Sequence, residues 1–191
     1  VGGDLVGFFP IFDRFVGFYS IDVSGHGVSS ALLTARLAGQ LSAAAPEQNV
    51  ALQRIGKHQY APRSPADAVS DLNTMIQREV ETEHYFTIAL VNFDLATGDG
   101  VLCQAGHPHP LLQNTDGSVI ELGEGGMPVG LLPTAEFEDV TFSMVPGDRL
   151  VILSDGVIEC ADPSGHGLDD DGVADLLKRN HQLKGQSFME A

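Results

Sequence analysis

Along this chain the spacing of apolar and polar residues changes period several times. Two apolar runs, 5–12 and 15–21, flank the polar pair Asp13-Arg14, the pattern of a β-hairpin. Centred on Asp13, that hairpin sets Asp4 opposite Asp22 on one face, with Cβ atoms ~5 Å apart. Pro10 marks the first strand as irregular or an edge. Residues 28–45 then carry small and apolar side chains at helical spacing, including Leu32, Leu33, Leu37 and Leu41, with Ser24 as a candidate cap and Pro46 as the stop. The weakly patterned stretch 49–64 reads as a surface connection. A second helix is predicted over 65–81, with Pro65 in its first turn and a stripe of Ala68, Leu72, Met75, Ile76 and Val80.

From Tyr85 onward the pattern is that of strands. Residues 86–95 and 101–105 form a hairpin around Thr97-Gly98-Asp99-Gly100, and 111–113 and 119–122 form another around Asn114-Thr115-Asp116-Gly117. Between them lies Gly106-His107-Pro108-His109-Pro110, which reads as a structural loop. A glycine-rich loop covers 123–133, residues 137–144 alternate, and 149–154 reads as a buried strand delivering Asp155-Gly156. A loop over 163–171 and a short helix over 173–179 close the pattern, with 180–191 left unfinished. Helices are grouped rather than alternating with strands. The fold class is therefore α+β with antiparallel sheets, in a single domain over 1–191.

Composition narrows the function classes. A net charge of −16 argues against a nucleic-acid surface and against an anionic membrane surface. Two cysteines make no disulfide framework, and Cys103 in an apolar strand predicts a buried free thiol, which suits a reducing, cytoplasmic setting. No apolar run approaches the ~20 residues that cross a bilayer. The chain starts with Val1 rather than Met, three residues before an acid of interest. It is expected to be a domain excised from a longer regulatory protein, incomplete at both ends.

Three acids share a setting: Asp4 after Gly2-Gly3, Asp22 before Val23-Ser24-Gly25, and Asp155 before Gly156. Carboxylates at strand ends beside glycines suit a hard cation with oxygen ligands, Mg²⁺ or Mn²⁺ rather than zinc. A pair of such ions binds phosphate and activates a water for in-line attack. No Gly-Xaa-Ser-Xaa-Gly, Walker or HExxH motif competes. Among the histidines, His26 is given an orienting role beside the glycine turn, while His107 and His109 are assigned to loop structure.

Val1-Gly2-Gly3-Asp4, Asp22-Val23-Ser24-Gly25-His26-Gly27, Ala105-Gly106-His107-Pro108-His109-Pro110, Pro146-Gly147-Asp148-Arg149-Leu150 and Ser154-Asp155-Gly156-Val157-Ile158-Glu159 occur in that order. The sequence resembles the SpoIIE/RsbU-type phosphatase domain, a bacterial branch of the metal-dependent type 2C (PPM) protein phosphatases. The resemblance implies an α-β-β-α sandwich of two antiparallel sheets flanked by helices. It implies dephosphorylation of phosphoserine or phosphothreonine on a regulatory protein such as an anti-sigma-factor antagonist, with two Mn²⁺ or Mg²⁺ ions. Asp22 then looks like the acid shared by both metals, the Val23 carbonyl like a ligand of one, Asp155 like a ligand of the other, and Asp4 like a holder of a metal or its waters. It also implies an upstream sensor or receiver domain, with regulation or homodimer contact through the two helices.

Members of the family carry one more aspartate in a late Asp-Asp-Xaa-Thr segment, whereas this chain has none after Asp175, and Asp169-Asp170-Asp171 follows Asp155 too soon to match. That departure bears on the second metal. It is expected to reflect a sequence that stops short, and it keeps open an alternative, a catalytically degenerate phosphatase-like module that binds a protein partner in a signalling pathway.

Overall fold

The computed structural model describes residues 3–78, 84–161 and 167–190. Strands β1 (Leu5–Ile11) and β2 (Phe15–Val23) form the predicted hairpin, and their register, from Leu5 opposite Ile21 to Ile11 opposite Phe15, is centred on Asp13. β2 pairs in turn with β5 (Phe86–Asp94), β5 with β6 (Asp99–Ala105) and β6 with β9 (Val140–Ser143), giving a five-stranded antiparallel sheet. A second sheet has β7 (Leu111–Gln113) between β8 (Val119–Glu121) and β10 (Arg149–Val151).

Alternation along the strands separates the layers. Tyr19, Ile21, Val23, Phe86, Ile88 and Leu90 face one side, where they pack with Leu33 and Leu37 of helix α1 (Val28–Gln40) and Val69, Leu72 and Ile76 of α2 (Pro65–Arg78). Ala89, Val91 and Leu102 face the other side, against Leu112, Leu122 and Phe142, and this cluster joins the two sheets. Leu111 of the second sheet packs outward on Val173 and Leu177 of helix α4 (Asp169–Arg179). The layer order is helices, sheet, sheet, helix, as expected for an α-β-β-α sandwich. Cys103 is a buried free thiol whose burial pushes its pKa up to about 12.

Several boundaries differ from the sequence pattern. α1 stops at Gln40 rather than near residue 45. The Gln40 carbonyl accepts from Val50 N–H, and Ser42 Oγ accepts from Ala44 N–H, so local bonds replace further helical ones. Ser24 does not cap α1, whose N-cap is Gly27; its hydroxyl accepts from Tyr85 N–H instead, 3.0 Å away. Ser64 does cap α2, accepting from Asp67 N–H, and Asp139 Oδ1 accepts from Ala66 N–H at 2.8 Å. The predicted end of α2, with Val80, lies outside the described residues. The surface connection after α1 contains a small hairpin, β3 (Leu52–Arg54) with β4 (Tyr60–Pro62), whose strands of three residues are too short for a visible period.

The strand before Asp155 is also shorter than expected and only half-buried. Pairing ends at Val151, and Asp155 opens a short helix, α3 (Asp155–Ile158). α4 begins at Asp169, inside the stretch expected as loop, and a last turn, α5 (Gln186–Met189), lies in the stretch left unassigned.

Candidate active site

Asp22 is the penultimate residue of β2 and stands directly opposite Thr87 of β5. Its neighbours Ile21 and Val23 point into the helix-side core, so alternation sends Asp22 and Thr87 to the other face, at one end of the space between the sheets. The hairpin register carries on past the last strand pair: Val23 N–H donates to the Gly3 carbonyl at 3.3 Å, which leaves Asp4 opposite Asp22. The Asp4 and Asp22 carboxyls share a hydrogen bond. Asp155 arrives from the second sheet through α3. Asp22, Thr87, Gly106, His107, Pro108, His109, Asp155 and Ile158 line one cavity of about 260 Å³. The structure thus brings Asp22 and Asp155 into one cavity, while Asp4 lies beside Asp22 and outside the cavity lining.

Their electrostatics follow from that convergence. Burial, then the hydrogen bond to Asp4, then the charges of Asp155 and Asp4 push the Asp22 pKa up to about 6. Carboxylates this close repel unless a proton or a cation lies between them. Among the described residues no three His, Cys, Asp or Glu side chains stand together at metal-ligand distances, so the acids are within electrostatic reach rather than gathered in a closed cage. The backbone around them nonetheless leaves room for an ion. A Cβ on Gly3 would lie 2.7 Å from the Val23 carbonyl oxygen and 3.1 Å from Asp22 Oδ1, so glycine keeps the two oxygens clear. Oxygen donors alone, one of them a neutral carbonyl, match a hard divalent cation.

The turn after β2 needs glycine, with Gly25 at φ 82° and Gly27 at φ 99°. It is clamped to the start of β5. Ser24 N–H donates to the Tyr85 carbonyl at 2.9 Å, and His84 Nδ1 lies 3.1 Å from the Ser24 carbonyl oxygen. His84 escaped the sequence reading because its partner is distant along the chain. The ranking of the other histidines is corrected too. His26 is exposed and does not line the cavity, whereas His107 is buried within it, 3.0 Å from Thr87 Oγ1 through Nδ1. Burial lowers the His107 pKa to about 4, against the opposing pull of Asp155 and Asp4. His109 Nδ1 lies 3.4 Å from the Leu122 carbonyl oxygen, in keeping with a structural role.

A pH prediction follows. Without metal, the folded chain holds the Asp22 proton more tightly than the unfolded chain, so Asp22 costs stability as pH rises from about 4 to about 6. His107 acts in the opposite sense over a similar range, because folding disfavours its charged form. The difference between wild type and Asp22→Asn isolates the first effect. In chelator, the thermal midpoint of Asp22→Asn should gain on wild type from pH 4 to 6 and level off above. A gap that stays constant with pH would contradict the assignment.

Comparison with known proteins agrees with this architecture. The family model "Stage II sporulation protein E (SpoIIE)" matches residues 13–191. Phosphoserine phosphatase RsbP of Bacillus subtilis is 28% identical over 164 residues, 83% of this chain but 37% of RsbP, so the chain spans little more than a third of that relative. The SiaA-PP2C domain of Pseudomonas aeruginosa superposes with a TM-score of 0.74 at 20% identity, covering 95% of this chain and 68% of that one. RsbX, solved in complex with magnesium, superposes with a TM-score of 0.61 at 14% identity over 94% of this chain and 80% of its own. At these identities the structural likeness shows the fold. The match to the family model, covering all but the first strand and its approach, decides the affiliation: the chain belongs to the stage II sporulation protein E (SpoIIE) family.

Proposed function

We propose that this chain is a metal-dependent protein serine/threonine phosphatase domain, in which water cleaves the P–O ester bond of phosphoserine or phosphothreonine to give inorganic phosphate and the free hydroxyl. The observation that carries the reading is the meeting of Asp22 and Asp155 in one cavity, with Asp4 beside Asp22 and the Asp22 pKa pushed up to about 6 by burial and the other two acids. The name of the relative RsbP and the magnesium bound to RsbX support it.

Asp22, Asp4, Asp155 and the Val23 carbonyl would hold the metal, Mn²⁺ or Mg²⁺, with two ions expected. A divalent cation bound there supplies positive charge for the phosphoryl oxygens and lowers the pKa of a water it holds. The chain's own part is positional. β2 presents Asp22 between the other two acids. Gly3 keeps the Val23 carbonyl clear. A cavity of about 260 Å³ accommodates the phosphoryl group and its ester arm rather than a folded partner, so the rest of a protein substrate would lie outside.

A phosphorylated regulatory protein of the anti-sigma-factor-antagonist type is the proposed substrate. An input domain elsewhere in the same chain would set the activity, with α1 as the contact surface; its Val28 and Leu32 are exposed. No helix among the described residues is long and apolar enough to cross a membrane, and action in the cytoplasm is part of the proposal. Residues 176–191 hold no aspartate, which leaves a second reading, a degenerate module that only binds a partner.

Phosphate release from phosphoserine, phosphothreonine and phosphotyrosine peptides, with Mn²⁺ and with chelator, separates the two. The phosphatase reading predicts turnover of the first two peptides in Mn²⁺ and none in chelator. Folded protein with Mn²⁺ bound and no turnover would leave the binding module.

A further inference from the structure

His107 is firmly built into this end of the sandwich, and the acids alone do not account for it. Its backbone is pinned from two directions. The buried Gln104 side chain donates through Nε2 to the His107 carbonyl at 2.6 Å and accepts from Gly125 N–H at 2.9 Å. The preceding Gly106 has φ 68°, bridges to Ile88, and packs so closely on Pro128 that a Cβ would lie 2.7 Å from Pro128 Cγ. Such close packing holds an imidazole in one place.

The residue is only 3% exposed. Nδ1 meets Thr87 Oγ1, while Nε2 is buried without a well-formed hydrogen bond, the kind of orphan that calls for an explanation. The Leu153 carbonyl is close enough to act on the ring. These two neighbours give the location meaning. Thr87 is the direct cross-strand partner of Asp22, and Leu153 lies two residues before Asp155. Asp22 belongs to the first sheet, Asp155 follows the second through α3, and His107 lines the cavity with both.

We propose that His107 is a positioning residue of this site: its imidazole bridges Thr87, beside Asp22 on one sheet, to the connection that carries Asp155 from the other, and so sets the separation of the two acids. The proposal rests on the phosphatase reading above but is tested separately from it. A flat ring with nitrogens on opposite edges can contact both segments at once. A leucine of similar size would keep the packing and lose both polar ends.

The experiment measures Mn²⁺ affinity by electron paramagnetic resonance, together with kcat, KM and the thermal midpoint. It compares wild type, His107→Leu, His107→Asn, Thr87→Val and the Thr87→Val/His107→Leu pair. Loss of a residue that orients metal ligands costs about 10- to 100-fold in affinity or activity. His107→Leu and Thr87→Val should each weaken Mn²⁺ affinity and kcat to that extent, with KM little changed. The double variant should be no worse than the poorer single, since the two act through one contact. His107→Asn, which keeps a polar group near the place of Nδ1, should recover part of the loss.

Wild-type affinity in both single variants, or additive losses in the pair, would overturn the proposal. Should His107→Leu fail to fold, wild-type affinity in Thr87→Val would overturn it alone. If wild type binds Mn²⁺ without turnover, the phosphatase reading falls while the affinity series still decides the role of His107. If wild type turns over and the variants match it, only the positioning role falls. A wild-type chain that binds no Mn²⁺ overturns both.

Discussion

Asp22→Asn should lower metal-dependent phosphate release about a thousandfold, the equivalent of roughly 4 kcal/mol of transition-state stabilisation. Burial acts most strongly on Asp22, and Asp4, just ahead of the neighbouring strand, and Asp155, at the start of α3, add to it. An amide in its place keeps the shape and the strand pairing with Thr87 but removes the negative charge that a cation would need. The same change should leave the fold intact. In chelator it should raise the thermal midpoint at neutral pH, because it removes a carboxylate that the metal-free fold tolerates poorly. Opposite shifts in activity and stability distinguish a functional acid from a structural one. An Asp22→Asn protein that is inactive because it is unfolded, or folded and fully active, would contradict the account.

Gly3→Ala should weaken Mn²⁺ affinity and turnover by about 10- to 100-fold, the range found for groups that place metal ligands. Alanine is ordinarily a mild replacement in a strand. Here the added methyl would sit 2.7 Å from the Val23 carbonyl oxygen and 3.1 Å from Asp22 Oδ1, and the first of these contacts is with backbone. Something must move, and what moves is the pair of oxygens assigned to the ion. Gly3 lies at the open end of the hairpin, outside the apolar cluster beneath it, so the thermal midpoint should change by no more than ~4 °C, about 1 kcal/mol for a chain of this size. Isothermal titration with Mn²⁺ on wild type and variant reads the effect. Equal affinities would remove Val23 and Asp22 from the proposed ligand set.

The parts of this fold that sequence made legible are those governed by local pattern. The β1–β2 hairpin has one polar break between two apolar runs, and the centre it implies, Asp13, is the centre observed. That register alone put Asp4 across from Asp22. The long apolar strand β5 and the stripe on α2 were equally plain. What local pattern could not show depends on contacts made late in sequence. α1 ends early because the backbone at Gln40 bonds to Val50 rather than to another helical turn. Ile152 and Leu153 look like strand residues because they are apolar, but they pack against the clusters of the second sheet without pairing partners, and Asp155 is therefore carried by a short helix.

The histidines make the same point at the site. His26 sits next to the glycine turn in sequence yet is exposed. His107 sits in a proline-rich loop, and only the approach of Thr87, Gln104 and the connection before Asp155 makes it part of the cavity. A polar ring between Gly106 and Pro108 was a signal available in the sequence only as composition, without the partner that gives it a role.

The central claim is that the end of the sandwich where Asp4, Asp22 and Asp155 meet is a divalent-metal centre that hydrolyses phosphoserine. The most direct test is a Mn²⁺ titration in which bound metal, read by electron paramagnetic resonance, and phosphate release from a phosphoserine peptide are followed in the same samples of wild type and Asp155→Asn. The account predicts that turnover rises in step with bound Mn²⁺ in wild type and that both are lost or strongly weakened in Asp155→Asn. Full turnover in chelator, or Mn²⁺ bound equally well by the two proteins, would contradict it.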